Sequence, residues 1–119
     1  MEFFHDARRI RAEPTDVKKS PYWLLVRVGC EQAALPFPEA EYTFHPKRKW
    51  RFDWAWVKQR VALEIDGGVW VQGRHARGSG LVKEHEKMNA AAALGWRIFR
   101  CTPQNVGNLA LYAQLKEAL

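Results

Sequence analysis

The stretch Trp50-Arg51-Phe52-Asp53-Trp54-Ala55-Trp56-Val57-Lys58-Gln59-Arg60-Val61-Ala62-Leu63-Glu64-Ile65-Asp66 decides how the chain folds. Trp50, Phe52, Trp54 and Trp56 alternate with Arg51, Asp53 and Ala55; Val61, Leu63 and Ile65 then alternate with Ala62, Glu64 and Asp66. A period of two belongs to a strand, whose side chains point alternately to its two faces. Two strands are predicted, joined as a hairpin with Lys58-Gln59 at its tip. Val57 then pairs with Arg60, and counting back along both strands sets Asp53 opposite Glu64 and Arg51 opposite Asp66. A four-residue tip opening at Trp56 and Val61 lengthens both sides equally and leaves the register unchanged.

Upstream, Tyr42 and Phe44 alternate with Thr43 and His45, which predicts a further strand from Glu41 and hence an antiparallel meander. Ser20-Pro21 has the form of a helix N-cap and first position, and Trp23, Leu24, Val26, Val28, Ala33 and Ala34 supply an apolar face for a helix that must end before Pro36. Residues 1–19 carry many charges without periodicity and read as a mobile or loosely packed arm ahead of one domain, 20–119. Downstream of the hairpin comes a glycine-rich loop from Val69 to about Ser79, then a helix over Leu81 to Leu94, with Gly95 where a left-handed C-cap belongs. Trp96 to Cys101 alternates as a fourth strand, and a final helix runs from about Gln104 to Leu119. The helix before the fourth strand is a crossover that can place that strand parallel to a neighbour. The predicted class is α/β: a central four-stranded mixed sheet, antiparallel meander plus crossover strand, flanked by helices.

A length of 119 residues leaves room for one core. With 47% hydrophobic and 27% charged residues, a collagen-like repeat and a wholly disordered polymer are both excluded. No apolar run approaches the ~20 residues needed to cross a bilayer, and the N-terminus lacks the layout of a signal peptide, so a cytoplasmic protein without a membrane partner is expected. Cys30 and Cys101 fit neither a CxxC nor a Cys/His ligand spacing and read as reduced core thiols. Nineteen Lys and Arg against thirteen Asp and Glu give a net charge of +6, which favours polyanions, nucleic acid first and anionic membrane second. The basic residues cluster as Lys47, Arg48, Lys49 and Arg51 around Trp50, and as Arg74, His75 and Arg77 in the glycine-rich loop. Cations interleaved with an aromatic suit phosphate contact with base stacking, although a basic turn capped by a core tryptophan reads the same way.

The hairpin register carries the chemistry. Opposed side chains on one face have Cβ atoms ~4.5–5.5 Å apart, and two carboxylates at that distance among Ala55, Val57 and Ala62 need a cation or a proton. Asp53 and Glu64 therefore form either a pair with a shifted pKa or a divalent-metal site. The alternative is that one points to solvent while Arg51 or Arg60 neutralises the other. Oxygen ligands without thiolate or clustered histidine favour Mg2+ or Mn2+ over Zn2+. Such a cation beside a basic surface suits phosphodiester hydrolysis.

Arg51-Phe52-Asp53, then Ala62-Leu63-Glu64-Ile65-Asp66-Gly67-Gly68, then a helix and the strand Gly95-Trp96-Arg97-Ile98-Phe99-Arg100 together resemble the PD-(D/E)XK nuclease superfamily. The similarity is to its very-short-patch-repair endonuclease-like branch, of restriction-endonuclease-like fold, and spans about Glu41 to Pro103. The resemblance implies a metal-dependent DNA endonuclease in which Asp53, Glu64 and the Ile65 carbonyl hold the metal. Asp66 stands where the superfamily pattern has its lysine, so it joins the candidate catalytic residues, and a basic group is expected from elsewhere. Lys87 on the next helix is the first candidate and His75 the second, as acid or base. Glu41, at the start of the first strand, could add an acidic group at the site edge; the plainer readings are that Glu41 is a solvated strand end, that Lys87 pairs with Glu84 one turn away, that His75 is an ordinary loop histidine, and that His45 and His85 are structural. The missing lysine also keeps open a non-catalytic DNA-binding module built on the nuclease fold. One active site cuts one strand at a time, so nicking or double-strand cleavage follows from a monomer or a homodimer, which the sequence leaves undetermined.

Overall fold

A computed structural model of the chain describes residues 21–66 and 79–119. The arm 1–19 and the loop residues Arg74, His75 and Arg77 lie outside the described residues. The elements are α1 (Trp23–Ala33), β1 (Glu39–Thr43), β2 (Arg51–Trp56), β3 (Val61–Ile65), α2 (Ser79–Ala93), β4 (Arg97–Cys101), a 3-10 turn (Pro103–Asn105) and α3 (Leu109–Ala118). They form a small α/β domain whose sheet has the order β1-β2-β3-β4. The first two pairings are antiparallel, and β3 runs parallel to β4 because α2 carries the chain back across the sheet. The hairpin register, Trp54 with Leu63, Ala55 with Ala62 and Trp56 with Val61, is the one predicted.

Each face of the sheet carries its own core. α1 and α3 cover one face, where Val26, Cys30, Trp54, Leu63, Tyr112 and Leu115 pack together. α2 covers the other, with Phe44, Phe52, Ala62, Ala91 and Trp96. Trp50, Phe52, Trp54 and Trp56 thus do not share one face, as simple alternation predicts. Trp54 and its partner Ala40 lie in the first core, and Phe52 and its partner Tyr42 in the second. Between these pairs Glu41 has a φ of 52°. A left-handed residue inside a strand breaks the pleat, and the side chains change faces there.

Three helix and strand boundaries also differ from expectation. The N-cap of α1 is Tyr22, without a side-chain cap bond, and the expected cap Ser20 lies outside the described residues. Its buried residues are Val26, Gly29 and Cys30, whereas Leu24 and Val28 of the predicted face are exposed. Gly29 sets that rotation: a Cβ there would fall within the Tyr112 ring, so α3 packs directly against the α1 backbone. The last helix begins at Leu109, because the Asn108 side chain accepts the Ala110 N–H and caps it, and the residues after Pro103 form a 3-10 turn instead. β1 begins at Glu39, two residues earlier than the alternation suggests.

Gly95, with a φ of 85°, ends the chain segment after α2 as a left-handed C-cap. Cys30 and Cys101 are free thiols. Burial pushes Cys30 up to about 12, aided by the charge of Glu31, and Cys101 up to about 11, aided by Asp66 and Asp53, so neither supplies a thiolate at neutral pH. Among the described residues no helix is long and apolar enough to cross a membrane.

Candidate functional site

Beyond Trp54 and Leu63 the β2–β3 ladder stops, and the next rung is built from side chains. The Asp53 N–H donates to Glu64 Oε2 at 2.9 Å, and the Ile65 N–H donates to Asp53 Oδ2 at 2.7 Å. Each carboxylate takes the main-chain donor of the opposite strand, so the acids occupy the fork where the strands part. The backbone groups there remain satisfied, and the two carboxylates are held together although they repel.

Lys87 reaches this fork from α2. Glu84, Lys87, Met88 and Ala91 follow the spacing of one helix face, and these positions are the less exposed ones of the helix. The Lys87 ammonium donates to Glu64 Oε1 at 2.8 Å, within a pair whose side chains are 15% and 9% exposed, and it lies 5.7 Å from the centre of the Phe52 ring. Burial raises the Glu64 pKa; Lys87 and the Asp53 N–H oppose the rise, and the Asp53 charge adds to it. Burial also raises Asp53, against the Ile65 N–H and Lys87, with Glu41 and Asp66 adding negative charge.

Asp66 does not lie opposite Arg51. Because β2 and β3 have parted, Asp66 follows the other ladder, its N–H donating to the Cys101 carbonyl at 2.8 Å. Its two oxygens accept from Arg100 Nε and Nη2, both at 3.0 Å, and the same Nη2 donates to Glu84 at 3.2 Å. Glu84 is therefore engaged by Arg100, and Lys87 is engaged by Glu64 rather than by Glu84. Arg51 pairs with Glu41 at 3.3 Å. Five carboxylates, Glu41, Asp53, Glu64, Asp66 and Glu84, thus face three cations, Arg51, Lys87 and Arg100. Of these five acids Asp53 alone is in no ion pair among the described residues.

The donor set suits a hard cation. Asp53 and Glu64 offer carboxylate oxygen, and Ile65 offers main-chain oxygen beside them. Among the described residues no group of three or more His, Cys, Asp or Glu side chains is placed to hold a metal. Two carboxylates supplemented by water is the pattern of Mg2+, which keeps much of its hydration, rather than of a protein-caged ion.

The basic turn lies at the β1–β2 connection. His45 Nδ1 accepts the main-chain N–H groups of Lys47 and Arg48 at 3.1 and 3.0 Å, which shapes the turn and makes His45 structural. Lys47, Arg48 and Lys49 are exposed, and the Arg48 guanidinium sits 4.0 Å over the half-buried Trp50 ring. Trp50 stacks towards Phe44, and Phe44 lies 4.1 Å from Phe52, the ring beneath Lys87. A row of aromatic rings therefore joins the basic turn to the fork on one face of the sheet.

Glu41, expected either at the site edge or as a solvated strand end, acts on Asp53 through its charge. The meeting of Arg100 with Glu84 escapes a reading of the sequence, because it needs β4 beside β3 with Arg100 partnering Glu64. His85 is exposed on α2 and joins none of these contacts. Comparison with known proteins yields no match: no family model, no curated protein and no solved structure is significantly similar to the chain.

Proposed function

We propose that the protein is a metal-dependent DNA endonuclease on a restriction-endonuclease-like fold. The observation that carries this reading is the β2–β3 fork, where Asp53 and Glu64 are held together, Asp53 is in no ion pair among the described residues, and Lys87 stands on Glu64. Asp53, Glu64 and the Ile65 carbonyl would hold Mg2+ or Mn2+, which supplies Lewis acidity at a phosphate oxygen and a more acidic bound water. The rest falls to the chain itself. The Ile65 and Asp53 N–H groups orient the two carboxylates before any ligand arrives. Lys87 offsets negative charge developing at phosphorus and gives the attacking water a defined donor on one side. Lys47, Arg48 and Lys49 hold backbone phosphates along the face shared with the fork. His75 retains its place as a candidate acid or base in the glycine-rich loop.

A second reading, a non-catalytic DNA-binding module, is favoured by one observation: Asp66, at the superfamily lysine position, is fully engaged by Arg100. Cleavage separates the two. The purified chain is incubated with Mg2+ or Mn2+ on supercoiled, linear, branched and single-stranded DNA. The nuclease reading expects cleavage that EDTA abolishes and that Asp53→Ala lowers by about two orders of magnitude or more. Intact DNA in every case, or full cleavage by Asp53→Ala, contradicts it; salt-dependent binding that persists in EDTA without cleavage supports the module.

A further inference from the structure

Lys87 is bonded to Glu64, and its charge also acts on Asp53, whose Oδ2 is taken by the Ile65 N–H; two further acids, Glu84 and Asp66, meet beside it at Arg100. Glu84 lies one helical turn before it, the spacing at which an acid and a lysine pair on a helix. Asp66 ends β3 two residues beyond Glu64, and its charge acts at the fork through Asp53. Both competitors are occupied by a single guanidinium. Arg100 takes both oxygens of Asp66 in a fork-to-fork pair and bonds Glu84 through Nη2, while its Nη1 meets Met88 Sδ at 3.4 Å. A planar guanidinium with five donors can serve two carboxylates at once in a fixed geometry; an ammonium cannot.

We propose that Arg100 is a positioning residue for Lys87. It acts by occupying Asp66 and Glu84, the two acids that would otherwise compete for the ammonium, and so holds Lys87 on Glu64. It also fixes α2 against the sheet edge at Glu84 and Met88, the residues that flank Lys87 on the helix. This gives Asp66 a role other than replacing the superfamily lysine: it docks Arg100. The positioning stands on the geometry of the described residues, and its meaning for catalysis rests on the nuclease reading.

The test is an NMR measurement on the whole chain without DNA or metal: the hydrogen-exchange rate of the Lys87 ammonium, which slows when the group is held in an ion pair. In Arg100→Gln the freed Glu84 and Asp66, with side chains 41% and 24% exposed against 9% for Glu64, draw Lys87 out into solvent, where an ion pair protects it less, and exchange is expected to rise about tenfold. Removing the competitors in Arg100→Gln/Glu84→Gln/Asp66→Asn is expected to restore slow exchange, a rescue that a purely structural Arg100 would not show. An unchanged rate in Arg100→Gln, or no rescue in the triple variant, overturns the proposal. Should Arg100→Gln not fold, Arg100→Lys keeps the charge but loses the fork, and wild-type exchange in that variant counts equally against it. A wild type that protects Lys87 yet cleaves no DNA removes the nuclease reading and leaves the positioning intact.

Discussion

Asp53 is where the cost of the fork is concentrated. Burial raises its pKa, so the folded protein keeps this proton to higher pH than the unfolded chain does. For a group shifted in this direction the stability contribution is fully present below the unfolded pKa and is lost as pH rises through the folded one. Ionised, Asp53 therefore weighs against the fold. Asp53→Asn keeps an acceptor for the Ile65 N–H and removes the charge. Thermal melts without divalent cation are expected to show this variant above wild type at neutral pH, with the gap closing as pH falls to about 4, the ordinary carboxylate range. A wild type that melts higher than the variant at neutral pH would mean that the charge is already compensated. Such a cost at a single residue is what a site held ready for a cation entails.

Among the elements, the hairpin was legible in the sequence and the site that grows from it only partly so. Alternation and a hairpin tip at Lys58-Gln59 yield the register, which places Asp53 and Glu64 one step beyond the last rung, and side-chain to main-chain bonds complete the contact. The face change at Glu41 was not legible, because no glycine marks a left-handed φ there. Nor was the Arg100 contact, since a crossover through α2 leaves the β3–β4 register open until the helix is packed. The resemblance named Lys87 for the site, but its spacing left a pair with Glu84 equally open, and Arg100, on a different strand, is what takes Glu84. The apolar face of α1 was misread for a related reason: Leu24 and Val28 outrank Gly29 in hydrophobicity, yet Gly29 is where the Tyr112 ring must fit. Tyr112 is fully buried and donates its hydroxyl to the Val106 carbonyl at 2.6 Å, so its ring cannot readily move aside. Gly29→Ala is accordingly expected to destabilise the protein by ~1–3 kcal/mol despite alanine's better helix propensity, read as a lower urea midpoint. An unchanged midpoint would show that α1 and α3 can separate without loss.

At the scale of the whole molecule, the described residues include two regions of opposed charge on one face of the sheet. The acids gather at the fork and the exposed cations at the β1–β2 turn, joined by the ring series Trp50, Phe44 and Phe52. In the proposed reading the turn binds phosphate and the fork acts on it. Each phosphate contact contributes ~0.9 to the slope of log affinity against log salt. Lys47→Ala/Lys49→Ala is expected to flatten that slope by about 2 in a titration on duplex DNA, uniformly across sequences, because phosphate contacts carry no base information. A slope unchanged by this pair would place the DNA elsewhere on the molecule. Paramagnetic Mn2+ reports on the fork itself. Substoichiometric Mn2+ added to the labelled protein is expected to broaden the amide signals of Asp53, Glu64, Ile65 and Asp66 first, and to leave them sharp in Asp53→Ala. Broadening centred on other residues, or the same broadening in Asp53→Ala, would contradict the account.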